Sequence, residues 1–338
     1  MPQDGLLFVS YQETLELFAA ADALRIVEDV YRMHAKGSVV FSGPPSFKLD
    51  DDEFNNHWHV KGCLLKDIPV AGTRMYSYFD DGDRSTVGTL DSTRYVVLSD
   101  PNTSIPLAIV DEHWSYALRS TAASVIACKW LANMDAKVCG VVGVGMMGKT
   151  GLDCLATMFD FEEIRCTSRR KETRDAFARH YSEKLGTKVV TVDTPEEAVR
   201  GADIVVGGTT STDIVSRADW VKPGCTFLSL ARKELDPAGW PEMDKAVLDS
   251  YELNMLNKPF REMVDAGYFS REAMHAEIWE IVSGQKPGRE RPDERILIHT
   301  TGLVSQDVAI AHWIYQQAKK RGMGTLLPLA HLQDAANA

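Results

Sequence analysis

Glycines spaced G-x-G-x-x-G, at Gly143, Gly145 and Gly148, carry the clearest chemistry in this 338-residue chain. An apolar, strand-like run at 137–142 precedes them and a helical pattern follows. In that setting the first glycine serves a tight turn and the second admits a pyrophosphate against backbone N–H groups. The third lets helix and strand pack closely, and the helix start adds partial positive charge for the phosphates. The spacing therefore reads as a dinucleotide site. A carboxylate at the end of the next strand, about 20 residues on, would mark NAD. Here that stretch is Cys166-Thr167-Ser168-Arg169-Arg170. Arg169 or Arg170 can pair a 2′-phosphate, which leans the residues toward NADP or a site accepting either cofactor. The competing reading is two solvated arginines opening a helix. Upstream, His57-Trp58-His59-Val60-Lys61 gathers two imidazoles and an ammonium. Imidazoles serve as acid–base groups near neutral pH. A zinc site needs a further ligand at suitable spacing and none is near, so no metal is expected.

The elements that must hold these groups follow from periodicity. Strand-like runs at 137–142, 163–167, 188–192, 203–206, 226–230 and 246–249 alternate with helical patterns such as 149–158 and 171–184. Thr194-Pro195-Glu196-Glu197 reads as a capping box with proline at the first helical position. Interleaved strands and helices imply a parallel sheet covered on both faces. The first 130 residues differ: 11–35 is largely helical in pattern, while 58–61, 73–79 and 95–98 look like strands joined by turns. A long helix is expected over 304–322 and a surface loop over 284–294. The fold class is therefore α/β: a doubly wound Rossmann-type domain at 131–302 plus a discontinuous α+β outer domain for substrate and dimerisation, from 1–130 and 303–338.

Composition narrows the function classes. Acidic side chains number 48 against 37 basic ones, a formal net charge of −11, which repels phosphate backbones and anionic lipid. Neither nucleic acid nor a membrane is an expected partner, and no apolar run approaches the ~18–20 residues of a bilayer span. The start of the chain lacks the basic and apolar pattern of a secretion signal, and the expected location is cytoplasmic. The 6 cysteines are scattered without C-x-x-C pairing, as expected of buried thiols.

Motifs along nearly the whole chain resemble the ornithine cyclodeaminase/μ-crystallin family. They include Leu7-Phe8-Val9-Ser10, the specific block Ala117-Leu118-Arg119-Ser120-Thr121-Ala122-Ala123-Ser124, and the glycine turn. Ala198 to Val205, Trp220-Val221-Lys222-Pro223-Gly224, Glu234-Leu235-Asp236-Pro237 and Thr301-Gly302-Leu303-Val304-Ser305-Gln306-Asp307 complete the set. The resemblance implies a homodimer whose outer domain is built from both chain ends, with the active site in a cleft against the nucleotide domain. It implies a nicotinamide cofactor used to make or reduce a C=N bond beside a carboxylate. Arg119 would lie near cofactor phosphates and substrate, and Thr86 of Ser85-Thr86-Val87 would contact the cofactor. Met146 and Met147 would add backbone contacts, with Ser168, Arg169, Thr209 or Thr210, Ser229 and Leu230 at strand ends. Thr300 and Thr301 would lie near the nicotinamide.

Two departures from the family pattern redirect the chemistry. Ala71-Gly72-Thr73-Arg74 places Arg74 where ornithine cyclodeaminases and related alanine dehydrogenases carry a lysine. The stretch Ser229-Leu230-Ala231-Arg232-Lys233-Glu234 is shortened and lacks their catalytic aspartate. Arginine does not shuttle protons near neutral pH, but it grips carboxylates with paired hydrogen bonds. The expected cations for substrate carboxylates are Arg74, Lys61, Lys48 and Arg119. Lys48 also reads as a solvated lysine beside Asp50-Asp51-Asp52-Glu53. Charge-assisted hydrogen bonds contribute roughly 1.5–3 kcal/mol each, enough to favour a dicarboxylate. The expected reaction is NAD(P)H-dependent reduction of an imino dicarboxylate to an amino acid, best read as iminosuccinate to L-aspartate. The resemblance to the iminosuccinate reductase branch implies NAD, with NADP as the alternative. His57, His59 or Lys61 would supply the proton. The competing expectations are another enzyme of the family or a μ-crystallin-like binder of nucleotide and ligand. For the binder, Trp58, Tyr76, Tyr78 and Phe79 would line a pocket.

Overall fold

The computed structural model describes residues 5–51, 53, 56–79, 92–209, 211, 213–230 and 234–329. In chain order it begins β1 (Gly5–Val9), α1 (Tyr11–Leu17), α2 (Ala20–Ala35), β2 (Val39–Phe41), β3 (Phe47–Asp51), β4 (Asn56–Leu65), β5 (Val70–Phe79), β6 (Ser92–Ser99) and β7 (Pro106–Asp111). It continues with α3 (His113–Val125), α4 (Cys128–Leu131), β8 (Val138–Val142), α5 (Met146–Leu155), β9 (Glu163–Thr167), α6 (Lys171–Leu185), β10 (Lys188–Thr191), α7 (Pro195–Val199), β11 (Ile204–Gly207) and β12 (Thr226–Ser229). The last part holds β13 (Lys245–Leu248), α8 (Tyr251–Asn254), α9 (Lys258–Asp265), β14 (Ala276–Glu277), α10 (Ile278–Val282), β15 (Ile296–His299), α11 (Val304–Arg321) and β16 (Thr325–Pro328).

The chain divides into two units. One takes Met1–Ala19, Lys36–Tyr116 and Val304–Ala338; the other takes Ala20–Ala35 and Ala117–Leu303. These divisions differ from the expected 130/131 and 302/303, because α2 and residues 117–130 group with the nucleotide-type unit. There α2 buries Leu24, Ile26, Val27, Val30 and Tyr31, and the Tyr31 hydroxyl donates to the Ala123 carbonyl at 3.2 Å. The largely helical stretch expected over 11–35 is divided into two helices for the same reason. Phe18 is extended (φ −137°, ψ 124°) and buried, and its carbonyl accepts the Trp114 indole N–H at 2.9 Å. The apolar stripes on either side of Phe18 serve different cores, so one helix cannot carry both.

In the second unit, among the described residues, β10-β9-β8-β11-β12-β15-β13-β14 form a parallel sheet. β11, β12, β13 and β15 are buried along their whole length, which is why 203–206, 226–230 and 246–249 read as apolar runs rather than alternating ones, while β15 was not among the expected strands. Chain order reverses between β8 and β11, the position where open α/β sheets bind ligands beyond their carboxyl ends. The Thr194 capping box forms: Glu197 N–H donates to Thr194 Oγ1 at 3.3 Å and Thr194 N–H to Glu197 Oε2 at 3.2 Å. All of the cysteines are buried. Among the described residues no helix is long and apolar enough to cross a membrane.

The first unit is a sheet in the order β16-β1-β7-β6-β5-β4-β2, with β3 on β4. It is antiparallel except where β1 runs parallel to β7. α11 lies on it, and a Cβ at Gly72 would come within 2.6 Å of Val308. Glycine at this point of β5 lets the helix settle onto the strand. Gly72, Arg74 and Tyr76 alternate onto one face, so α11 covers the end of the face that carries Arg74.

Candidate functional site

In the second unit the glycine turn has the geometry that phosphate binding requires. Gly143 has φ +94°, and a Cβ there would lie 2.7 Å from the Gly208 carbonyl oxygen, beyond β11. A Cβ at Gly148 would meet the Gly143 carbonyl oxygen at 2.0 Å, so close packing of α5 on the turn admits no side chain. Gly145 is different: it caps α5 with φ −73° and its Cβ position meets nothing within 4 Å. The N–H groups of Met146, Met147 and Gly148 follow in the first helical turn, without partners inside the helix. The cradle is open where a pyrophosphate needs room and tight where the backbone must hold shape, so a dinucleotide fits these residues. Gly145→Ser is therefore expected to leave the unfolding midpoint unchanged, since serine is a good N-cap, while weakening NADH binding at least about tenfold, or 1.4 kcal/mol. Isothermal titration beside thermal unfolding measures both; unchanged affinity would remove Gly145 from the site.

The expected strand-end residues have varied surroundings. Ser168 donates from Oγ to the Arg170 carbonyl at 3.3 Å, and Arg169 is exposed, with no carboxylate at the end of β9. Thr209 Oγ1 accepts the Ser211 N–H at 3.3 Å, and Leu230 N–H donates to the Gly207 carbonyl at 3.0 Å. Ser229 is buried, with its hydroxyl donating to Glu234 Oε2 at 3.0 Å and lying 3.0 Å from His299 Nδ1. His299 in turn stacks on Phe260, and burial pulls its imidazole down to about 4, which keeps it neutral. The Ser229 side chain thus ties β12 to β15. Thr300 Oγ1 lies 2.6 Å from Ser124 Oγ. Thr86 and Thr210 lie outside the described residues.

A carboxylate that the sequence reading passed over organises the loop after β15. Asp249 Oδ2 accepts the N–H of Thr301 at 2.9 Å and of Gly302 at 2.6 Å, while Oδ1 accepts Ser250 N–H and Asn254 Nδ2, each at 2.9 Å. Burial pushes the Asp249 carboxyl above its ordinary value, and these donors hold it back. Gly302 has φ +85°, and a Cβ there would sit 1.7 Å from Arg119 Nη1, so the guanidinium lies directly against this glycine. Asp249, Thr301, Gly302 and Arg119 therefore form one packed group. The signal available in sequence was an acid closing the apolar run 246–249.

In the first unit, strand register assembles the cations. Across β4 and β5, Lys61 faces Arg74 and His59 faces Tyr76; across β5 and β6, Tyr76 faces Arg94; Lys48 on β3 faces His59. Directly opposed residues of antiparallel strands share a face. His59 stacks on Tyr76 at 4.8 Å between centroids, and Arg74 lies 4.2 Å and Lys61 5.8 Å from the same ring. Lys48 is exposed. For His57 only the backbone position on β4 is described.

Arg74 is 2% exposed, and its Nε donates to Glu112 Oε1 at 2.7 Å and Oε2 at 2.6 Å, with Asp307 Oδ2 at 3.6 Å. Burial opposes the charge, but Asp307 and Glu112 overcome it and hold the guanidinium protonated. Among the described residues its Nη2 has no hydrogen-bond partner, which leaves that edge for a carboxylate. Glu112, Asp307, Arg94 and Tyr116 escaped the sequence reading. Asp307 was inside a recognised motif, while Arg94 reveals itself only once β5 and β6 are in register.

A sequence model of the ornithine cyclodeaminase/mu-crystallin family matches residues 7–322. N-((2S)-2-amino-2-carboxyethyl)-L-glutamate dehydrogenase of Staphylococcus aureus is 30% identical over 237 residues, 69% of this chain and 70% of that one. An archaeal alanine dehydrogenase dimer with bound NAD superposes with TM-score 0.87 at 28% identity, covering 96% of this chain and 99% of that one. The NAD+ complex of iminosuccinate reductase from Paracoccus denitrificans shares the fold, with TM-score 0.87 at 22% identity over 96% of this chain and 100% of that one. With the glycine cradle, the parallel sheet and this match over nearly its full length, the chain belongs to the ornithine cyclodeaminase/mu-crystallin family.

Proposed function

We propose that this protein reduces an imino dicarboxylate to an amino acid, with iminosuccinate to L-aspartate as the reaction. It is an NAD(H)-dependent oxidoreductase acting on C–N bonds, as its family and the NAD-bound relative support. The observation that carries the substrate reading is the cationic face of the first unit, where His59, Lys61, Arg74 and Arg94 gather around Tyr76 in a chain of net charge −11. A dianionic substrate needs such a local reversal of the global field.

When bound, NADH would supply the hydride that reduces the C=N bond. The chain's residues bind, orient and protonate. Gly143, Gly145, Met146, Met147 and Gly148 would hold the pyrophosphate, and Ser168, Arg169, Thr209, Ser229, Leu230 and Thr300 would contact the rest of the cofactor. Arg74, through its Nη edge, and Lys61 meet one carboxylate, with Lys48 as a further contact. His59 donates the proton at the imine nitrogen, a role for which imidazole is suited. We place the enzyme in the cytoplasm, where its buried, unpaired thiols stay reduced, and as a homodimer, the state of the archaeal relative.

A second reading has its own support. The Staphylococcus relative is named for a secondary amine carrying several carboxylates. Here Glu112 and Asp307 both face Arg74, a surplus of negative charge that can hold a substrate ammonium. NADH and NADPH oxidation with oxaloacetate plus ammonia tests the first reading. Glyoxylate, pyruvate and 2-oxoglutarate with ammonia run alongside, and N-((2S)-2-amino-2-carboxyethyl)-L-glutamate with NAD tests the second. Turnover confined to the oxaloacetate mixture is the expected result. Turnover confined to the secondary amine replaces the first reading with the second, and silence throughout favours a binding protein.

A further inference from the structure

We infer that Arg94 is the specificity determinant for the second carboxylate of the substrate. This rests on the imino-dicarboxylate reading and goes beyond it by assigning the residue that separates dicarboxylates from monocarboxylates. Arg94 faces Tyr76 across β5 and β6, on the face that carries His59 and Arg74. Its guanidinium carbon lies 4.0 Å from the Tyr116 ring centroid and 5.6 Å from that of Tyr76. A guanidinium over an aromatic ring uses its flat face there and keeps its in-plane N–H edge for an anion.

The two arginines on this face are in opposite states. Arg74 is buried and its Nε is spent on Glu112, with Asp307 close by. Arg94 is half-buried, and no carboxylate among the described residues pairs with it. In a chain with 48 acidic and 37 basic side chains, a half-buried arginine stacked on tyrosines and lacking such a partner is placed for an external anion. Both guanidiniums border the Tyr76 ring, at 4.2 Å for Arg74 and 5.6 Å for Arg94. Two cations beside one ring match the carboxylates at either end of a short carbon chain. Tyr116 also lies 5.4 Å from Arg74, so the same two rings brace both cations.

The test uses the full chain, with Arg94→Gln and Arg94→Lys. Initial rates are taken with oxaloacetate plus ammonia and with pyruvate plus ammonia, and L-aspartate and L-alanine binding to the NAD-loaded protein is titrated in parallel. The loss of one charge-assisted hydrogen bond pair predicts a fall of roughly tenfold to a hundredfold in the dicarboxylate preference of Arg94→Gln, carried by KM rather than kcat. Arg94→Lys keeps part of the preference. A wild-type enzyme that turns over the dicarboxylate while Arg94→Gln keeps its preference overturns the inference and leaves the functional reading standing. A wild type without dicarboxylate turnover sinks that reading, and the titrations then decide Arg94. Aspartate binding weakened selectively in Arg94→Gln supports the assignment; equal binding in both proteins, or none in either, overturns it.

Discussion

Replacing Arg74 with methionine is expected to destabilise the protein by roughly 3–5 kcal/mol, the cost of removing one partner from a buried ion pair. Glu112 and Asp307 flank the guanidinium with side chains 2% and 1% exposed, so the variant strands their charges away from water. Methionine fills much of the arginine stem's volume, which keeps cavity formation from dominating. Protonating the stranded carboxylates relieves the penalty, so the variant loses less stability in mildly acidic than in mildly alkaline buffer. Adding Glu112→Gln to Arg74→Met recovers part of the loss. Denaturant unfolding of the single and double variants measures this, and a single variant as stable as wild type would show that the cluster stores no such energy. Arg74→Lys separates the structural role from substrate binding. It keeps a cation for Glu112 and Asp307 but loses the forked edge, so stability largely returns while KM for the proposed dicarboxylate substrate stays raised.

Asp249→Asn is expected to be nearly as damaging despite its close match in shape. Both oxygens of Asp249 accept, from Thr301, Gly302, Ser250 and Asn254. An asparagine presents one acceptor and one donor, so one pair of buried N–H groups loses its acceptor and meets an opposing NH2. At roughly 1–3 kcal/mol for each unsatisfied donor, a loss of about 2–5 kcal/mol follows. Because Arg119 packs against Gly302, the loop and the arginine shift together. The expected signature is a lower unfolding midpoint with weakened NADH affinity. A variant that loses stability but binds NADH as tightly as wild type would confine Asp249 to a structural role.

The nucleotide unit was legible because its signals are local. The Gly143 turn, the Thr194 capping box and the buried strands β11, β12 and β13 each depend on residues within a few positions of one another. Strand ends shifted by only a residue or two, since apolar runs and caps mark them directly. Asp249 was harder, because its partners Thr301 and Gly302 lie some 50 residues on and nothing in the intervening sequence announces the hydrogen bonds. Phe18 shows the same limit within a helix. Residues 11–35 are largely helical in pattern, and the break arises from two cores competing for one segment.

By itself, the sequence determined the family, the parallel sheet and the dinucleotide turn, and it marked Arg74 as a departure from lysine. Only the tertiary structure decided what surrounds that arginine. Arg74 meets Glu112 from just before α3 and Asp307 from α11, while Tyr76 meets His59 and Arg94 through the registers of β4, β5 and β6. Charge acts through space and falls off with distance, whereas sequence records only order along the chain. A face assembled from four strands and two helices therefore exists only after the sheet has paired and α11 has packed onto it.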